Sequence, residues 1–163
     1  PWVAVVGVSM GGTSAVHSLT LADGPDAVVA ISAPAYLHAE PRTAPMARLH
    51  LLWTSPRHRL GMRAVTGVRV VPVAQWESPP HPADVVARST TPVLLVHGQD
   101  DPYFGVEEWE PIALQHGIPL WAEPVGFGHA EDGLTPAFAR RVAGAVHSVW
   151  RTGQFPERDE RPG

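Results

Sequence analysis

The sequence predicts an α/β fold with about four parallel strands, flanking helices and a cap-like insertion. Short, almost wholly apolar runs recur along the chain, as expected for strands buried on both faces of a parallel sheet. Segments with helical spacing lie between these runs, and the alternation is typical of parallel sheets covered by helices. The 15 glycines and 18 prolines cluster at the ends of these segments, where they punctuate structure instead of indicating disorder.

The first half of the predicted sheet comes from the start of the chain. Trp2–Val6 is an apolar run that predicts a buried strand, and Gly7–Gly12 is the turn that follows it. A helix is predicted over Thr13–Ala22, because an Asp-Gly-Pro sequence comes directly after it and ends helices. Ala27–Ile31 is the second apolar strand.

The second half of the sheet follows a long interruption. Proline is tolerated at the first position of a strand, and glycine often ends a helix, as Gly117 does here. A Thr-Pro pair is a favourable start for the last helix. The predicted elements are a strand over Pro92–His97, a helix over Val106–His116, a strand over Pro119–Glu123 and a helix from Thr135 to Gly153.

The interruption, at about residues 34–91, is predicted to be an insertion of short helices and loops. It contains seven arginines against three acidic residues, in a chain whose formal net charge is −4. Residues 1–152 would then form one core that includes this insertion. Residues 153–163 are polar and charged, which predicts a disordered tail.

Composition excludes several classes of protein. The acidic balance gives no support for nucleic-acid binding, and the absence of cysteine excludes a disulfide framework, a thiolate metal site and a cysteine nucleophile. No apolar run approaches the roughly 18 residues that a membrane span needs. The histidines lack metal-binding spacing, so no metal and no cofactor are expected. The lack of cysteine favours a cytoplasmic location without requiring one, and a signal peptide cannot be judged in a chain that begins at Pro1.

A serine lies in the turn between the first predicted strand and helix. Gly7-Val8-Ser9-Met10-Gly11 matches the pattern G-x-S-x-G in that strand–turn–helix context. Such a turn holds the serine in a strained conformation with its hydroxyl above the sheet, and we expect Gly7 and Gly11 to be needed for close backbone approach. The residue after the serine begins the helix, so the Met10 amide is expected to face a developing oxyanion.

Two other interpretations of a glycine-rich turn fit less well. A dinucleotide-binding turn would carry a second glycine where Ser9 stands and an acidic residue after the next strand, where Ser32 and Ala33 follow instead. A phosphate-binding loop would need a Gly-Lys-Ser/Thr sequence, which is absent. A serine that merely occupies a tight turn remains the structural alternative.

The third and fourth predicted strands are followed by an acid and a base. Asp100 and Asp101 follow the third strand, and His129 lies between the fourth strand and the last helix. Loops after parallel strands meet at the carboxyl edge of the sheet, so these side chains are expected near Ser9. We select Asp101 as the partner of the histidine, and expect Asp100 to cap the turn or to face water. His97 is expected to pack beneath the site.

The three loops GVSMGG, HGQDDP and GFGHAE resemble the elbow, acid and histidine loops of the α/β-hydrolase family, in the same chain order. The resemblance covers about residues 2–152. It implies that Ser9 is a nucleophile, His129 its general base, Asp101 the residue that orients the histidine, and the Met10 amide one oxyanion donor. In the insertion, Trp53 and Trp76 are candidates for lining an acyl pocket, with packing onto the core as the alternative.

The chain departs from the family at its start, because the family's sheet has several strands before the elbow. The first strand is patterned for a neighbour on both sides, yet here it would be an exposed edge. We therefore expect this chain to be the C-terminal half of a longer hydrolase whose N-terminal half would complete the fold.

The resemblance implies a serine hydrolase that cleaves a carboxylic ester, or a related small-molecule acyl substrate, through an acyl-enzyme. Amide, thioester and lactone substrates stay open, as does acyl transfer to an acceptor other than water, because a fold does not fix its chemistry. The alternative from a different class is a non-catalytic, truncated half-domain or partner-binding remnant.

Overall fold

The computed structural model describes residues 1–37, 41, 43–75, 77, 79–124 and 126–157. The described strands are β1 (Ala4–Val8), β2 (Ala27–Ile31), β3 (Val93–Gly98) and β4 (Leu120–Glu123). The helices are α1 (Met10–His17), α2 (Ala44–Thr54), α3 (Pro56–Thr66), α4 (Pro82–Arg88), α5 (Glu110–His116), α6 (Ala130–Gly133) and α7 (Pro136–Thr152). The strands are all parallel, in the order β1-β2-β3-β4. This arrangement confirms the predicted α/β class with four parallel strands.

An apolar layer covers each face of the sheet, because successive strand residues point to opposite faces. On one face, Val28, Ala30 and Leu95 belong to a core cluster with buried residues of α1, α4 and α5. On the other face, Val29 and Leu94 belong to a second cluster with buried residues of α7. Burial on both faces explains why β2 and β3 are continuous apolar runs in the sequence.

The ends of α7 form as the sequence predicts. The hydroxyl of Thr135 accepts a hydrogen bond from the amide of Phe138 at 3.1 Å, which caps the first turn. Gly153 ends the helix with a φ of 78°, a conformation that favours glycine. Four buried residues, Phe138, Val142, Ala145 and Val149, lie along one face at helical spacing and hold α7 against the sheet.

The turn after β1 is shorter than predicted. β1 runs to Val8 instead of ending at Val6, and α1 begins at Met10 instead of Thr13. Pairing of β1 with β2 extends from Ala4–Ala27 to Val8–Ile31. At the other end, the carboxylate of Asp26 accepts from the amide of Val3 at 2.7 Å, while the backbone amide of Asp26 donates to the carbonyl of Val3 at 2.8 Å.

The chain divides into two compact units, one made of Pro1–Leu37 and His81–Gly163 and the other of His38–Pro80. The smaller unit contains α2 and α3, and Arg59 in α3 donates a hydrogen bond to the carbonyl of Trp53 at 2.8 Å. The predicted insertion at about 34–91 is therefore too wide. Its two ends belong to the larger unit, where α4 joins the core beside α1. Trp76 lies outside the described residues.

The start of the predicted tail packs on the core. Phe155 is only 6% exposed and belongs to the same cluster as α7, and the indole of Trp121 donates to the carbonyl of Pro156 at 3.4 Å. The prediction of disorder is therefore wrong for residues 153–157, because the side chain of Phe155 packs into the apolar core. Residues 158–163 lie outside the described residues. No helix in the described part of the chain is long and apolar enough to cross a membrane.

Candidate active site

Ser9 lies between β1 and α1 in a strained backbone conformation. Its φ is 54° and its ψ is −121°, a combination that non-glycine residues adopt at a cost of about 1–3 kcal/mol. The amide of Ser9 donates to the carbonyl of Ile31 at 2.8 Å, and its carbonyl accepts from the amide of Thr13 at 3.1 Å. Bonds to β2 and to α1 therefore hold the strained residue from both sides.

Two glycines make room for this turn. A Cβ atom at Gly7 would collide with the backbone of Gly11, and one at Gly12 would lie 2.9 Å from the Cβ of Ala33. At Gly11 itself, a Cβ would meet nothing within 4 Å among the described residues. The expectation that Gly11 is needed for close approach is therefore wrong, since the crowding falls on Gly7 and Gly12.

The structure brings Ser9, Asp101 and His129 together at the carboxyl edge of the sheet. Nε2 of His129 lies 2.9 Å from Oγ of Ser9, and Nδ1 lies 2.8 Å from Oδ2 of Asp101. The three residues follow β1, β3 and β4 respectively. A serine hydroxyl and an imidazole are at hydrogen-bonding distance, and the imidazole in turn contacts a carboxylate, which is a geometry that can activate a serine.

Asp101 is held as a carboxylate. Its Oδ1 accepts hydrogen bonds from the amides of Tyr103 at 2.9 Å and Phe104 at 3.1 Å, while its Oδ2 contacts the imidazole. Burial acts to raise the pKa of Asp101, but the hydrogen bond with His129 and the two amide bonds together outweigh burial and hold the pKa below its ordinary value. Asp101 can therefore orient the histidine and stabilise an imidazolium.

Two aromatic rings flank the imidazole of His129, which is buried. The ring of Tyr103 meets it edge-on with centroids 4.9 Å apart, and that of Phe104 is tilted at 5.9 Å. The same two residues donate their amides to Asp101, so one short segment holds both the acid and the base. Sequence reasoning did not identify them, although their position directly after Asp101-Pro102 was a usable signal.

Asp100 does not join the triad. Its Oδ2 accepts a hydrogen bond from the amide of Gly126 at 2.7 Å, in the loop that carries His129. Asp100 is exposed, as expected of a residue that faces water, and its bond to Gly126 adds a contact between two loops that was not predicted.

Two further polar groups lie near these loops. His97 is fully buried, as expected, with its ring centroid 6.4 Å from that of Trp109. Burial, partly offset by the negative charge of Asp101, lowers the pKa of His97 to about 4, so its ring is neutral. Glu123, the last residue of β4, accepts two hydrogen bonds from Arg141 of α7 at 2.9 and 3.0 Å. This partly buried pair anchors the strand just before the histidine loop.

Met10 begins α1, so its amide is one of the first four in the helix, which have no partner within the helix. Its role as an oxyanion donor stays a prediction. Among the described residues, no group of three or more His, Cys, Asp or Glu side chains could hold a metal ion.

Comparison with family models and with curated proteins gives no match. Solved structures do match. An esterase from Pyrococcus furiosus is 19% identical, with a TM-score of 0.60, over 92% of this chain and 54% of that chain. The N-acyl homoserine lactonase AidH is 16% identical, with a TM-score of 0.62, over 90% of this chain and 63% of that chain. A meta-cleavage product hydrolase from Pseudomonas fluorescens is 15% identical, with a TM-score of 0.51, over 93% of this chain and 65% of that chain.

The chain spans about half the length of the esterase it matches, and less than two thirds of each of the other two. At these identities the likeness concerns the fold. Together with the parallel sheet and the serine turn after β1, it shows that this chain has the α/β-hydrolase fold and spans part of it.

Proposed function

We propose that this protein is a serine hydrolase that cleaves a carboxylic ester or a related acyl substrate through an acyl-enzyme. The observation that carries the proposal is the continuous hydrogen-bonded chain from Oγ of Ser9 through His129 to Asp101. The strained backbone of Ser9 supports it as well, because strain of this kind concentrates at functional sites.

In this mechanism Ser9 attacks the carbonyl carbon while Nε2 of His129 takes the hydroxyl proton. Asp101 fixes the tautomer by accepting from Nδ1, and it stabilises the imidazolium that forms. His129 then gives the proton to the leaving alcohol, and the acyl group stays on Ser9. Water, activated by the same histidine, releases the acid and restores the serine.

The oxyanion that develops on the carbonyl needs hydrogen-bond donors. The Met10 amide supplies one, because it follows the nucleophile at the start of α1 and lies at the positive end of the helix dipole. A second donor would come from a loop before the elbow, which fits a longer protein whose remaining half completes the site.

Ester hydrolysis is the substrate class that we propose first. Among the structural neighbours, one is named an esterase and another a lactonase, which was solved with N-hexanoyl homoserine. Both names denote cleavage of an ester bond, open-chain or cyclic. A small-molecule acyl substrate therefore suits this site better than a nucleic acid, which the acidic chain would repel.

The test is covalent labelling with a fluorophosphonate probe, measured by intact mass. We expect one adduct on the wild-type chain and none on Ser9→Ala. Ser14→Ala is the matched control, because Ser14 lies exposed on the same helix and its hydroxyl donates to the carbonyl of Met10. His129→Ala should slow labelling by about 10⁴-fold, the scale seen when a triad loses its working base.

Absence of an adduct on wild-type protein, in a sample whose circular dichroism and cooperative melting show that it is folded, would contradict the proposal. That outcome would favour the non-catalytic half-domain. Labelling that persists in Ser9→Ala would likewise remove Ser9 as the nucleophile.

A further inference from the structure

Two neighbouring aspartates make contacts in different directions. Asp101 uses one carboxylate oxygen for the His129 ring and the other for amides of its own loop. Asp100 reaches across to the next loop, where its Oδ2 accepts from the amide of Gly126 at 2.7 Å. Gly126 precedes His129 by three residues, so this bond joins the loop of the acid to the loop of the base.

The histidine loop also contacts the end of β3, at Gly98. A Cβ atom there would collide with the carbonyl oxygens of Phe127 and Gly128, so the segment before His129 lies directly on the end of the strand. Gly126 has a φ of 98°, which lets the chain turn at the point where Asp100 binds it. The segment is thus in contact with the end of β3 at Gly98 and with the acid loop at Asp100.

Burial of Phe127 and Ala130 in the core anchors this segment, and the contact to Asp101 adds little to the hold on its backbone. That contact joins the acid to Nδ1 of the imidazole, whose position still depends on its loop, whereas catalytic groups must be held within about 0.5 Å of their working geometry. A second bond to the backbone, close to the histidine, removes that freedom before substrate binds.

We propose that Asp100 is a positioning residue that holds the loop of the general base through the Gly126 amide and so keeps Nε2 of His129 within reach of Ser9. This inference rests on the proposed function, since it takes His129 as the base. It assigns the adjacent aspartates separate tasks, with Asp101 orienting the ring and Asp100 holding the loop.

The hydrogen bond from Gly126 to Asp100 is proposed to act by holding the loop in place, and not through the charge of the carboxylate. Asp100→Asn tests this, because it removes the charge and keeps an acceptor. The asparagine carbonyl still accepts from Gly126 but carries no charge, while Asp100→Ala removes the acceptor. We therefore expect Asn to restore most of the activity that Ala loses. Asp84→Ala is the control for loss of an aspartate, because Asp84 is exposed in the first turn of α4.

The experiment measures hydrolysis of p-nitrophenyl acetate by the protein, with active sites counted by fluorophosphonate titration. We expect Asp100→Ala to lower kcat per titrated site by about 10-fold with KM little changed, since small misplacement of a catalytic group costs up to about 100-fold. A purely structural role would lower the number of titrated sites and leave kcat per site unchanged. That result, or equal losses in Asn and Ala, would overturn the proposal.

A second readout needs no activity. Hydrogen exchange of the Gly126 amide, followed by NMR, should be about 10-fold faster or more in Asp100→Ala than in wild type, with the Tyr103 and Phe104 amides unchanged. Equal exchange at Gly126 would overturn the loop contact whether or not the chain is active. Failure of the proposed function shows differently, as a wild-type chain that forms no Ser9-dependent adduct.

Discussion

His97 shows how burial decides the state of a single side chain. It is the last residue but one of β3, four residues before Asp101, and no part of it is exposed. Water is excluded there, so the charged imidazolium is disfavoured and the pKa of His97 falls from 6.5 to about 4. A neutral ring beneath the site leaves the charge of Asp101 for His129 alone.

Because burial lowers the pKa of His97, we expect the stability of the protein to depend on pH. The unfolded imidazole takes up a proton below about pH 6.5, whereas the folded one does so only below about 4. The free energy of unfolding should therefore fall as pH drops through this window, by about 3 kcal/mol, and His97 should contribute no further loss below it. Urea unfolding at pH 7 and 4.5 measures the difference, which should shrink in His97→Gln.

The control for this measurement is His116→Gln, at the exposed end of α5, which should keep the wild-type pH dependence. An unchanged difference in His97→Gln would show that other groups cause the loss of stability.

At the level of single residues, the sequence identifies the groups whose type and context are both unusual. Ser9 stands in a glycine-flanked turn, and Asp101 and His129 each follow a strand, so their meeting at one edge could be predicted from the chain. The contact of Asp100 with Gly126 could not be predicted from the chain. It depends on how close the two loops lie in space, and that distance is set by the backbone packing at Gly98.

The turn between β1 and α1 illustrates the limits of a motif at the level of elements. The pattern G-x-S-x-G treats both glycines alike, but only Gly7 is crowded, by the backbone of Gly11 itself. The crowding on the other side falls on Gly12, which lies outside the pattern and packs against Ala33. A motif records residue types, whereas the steric requirement belongs to the particular backbone.

Alanine substitution should have different effects on stability and on probe labelling at Gly7 and at Gly11. Gly7→Ala should destabilise the protein by about 3 kcal/mol or more and abolish probe labelling, because its Cβ meets backbone that cannot move away. Gly11→Ala is the matched variant, and should change the free energy of unfolding by less than about 1 kcal/mol in either direction. Thermal melting and labelling rates measure both effects, and equal melting temperatures for the two variants would contradict this steric account.

Among the elements, strands and the closing helix are more predictable than connections. β2 and α7 match the sequence prediction, because apolar runs and capping residues are local signals. α6 was not predicted, since four residues after His129 carry no periodic pattern. The helix predicted over 106–116 has a short 3₁₀ turn at its start, with α5 proper beginning at Glu110, next to a proline that favours the first turn.

For the molecule as a whole, the consequential feature is the open edge at β1. In the described residues β1 pairs only with β2, and Val6 on this strand is 48% exposed. An exposed apolar edge with unpaired backbone groups is a site of self-association, and natural proteins avoid it with charge. The proposal of a longer hydrolase, whose other half covers this edge, has its physical basis here.

Charge on this strand should reduce association. We expect the wild-type chain to show concentration-dependent association in sedimentation velocity, and Val6→Lys to lower it at least about tenfold in apparent affinity. Val65→Lys is the control, because Val65 is 86% exposed but lies on α3. Equal association of the two variants would show that the contacts form elsewhere.

The bond between Ser9 and His129 joins residues 120 positions apart, at the beginning and near the end of the chain. During synthesis the serine therefore leaves the ribosome first, and the histidine follows about 6 to 24 s later at about 5–20 residues per second. In that interval the hydroxyl has no base beside it, and the two outer strands of the sheet cannot both be in place. Under the proposed function, Ser9 therefore stays without its general base until β4 and the histidine loop have been made.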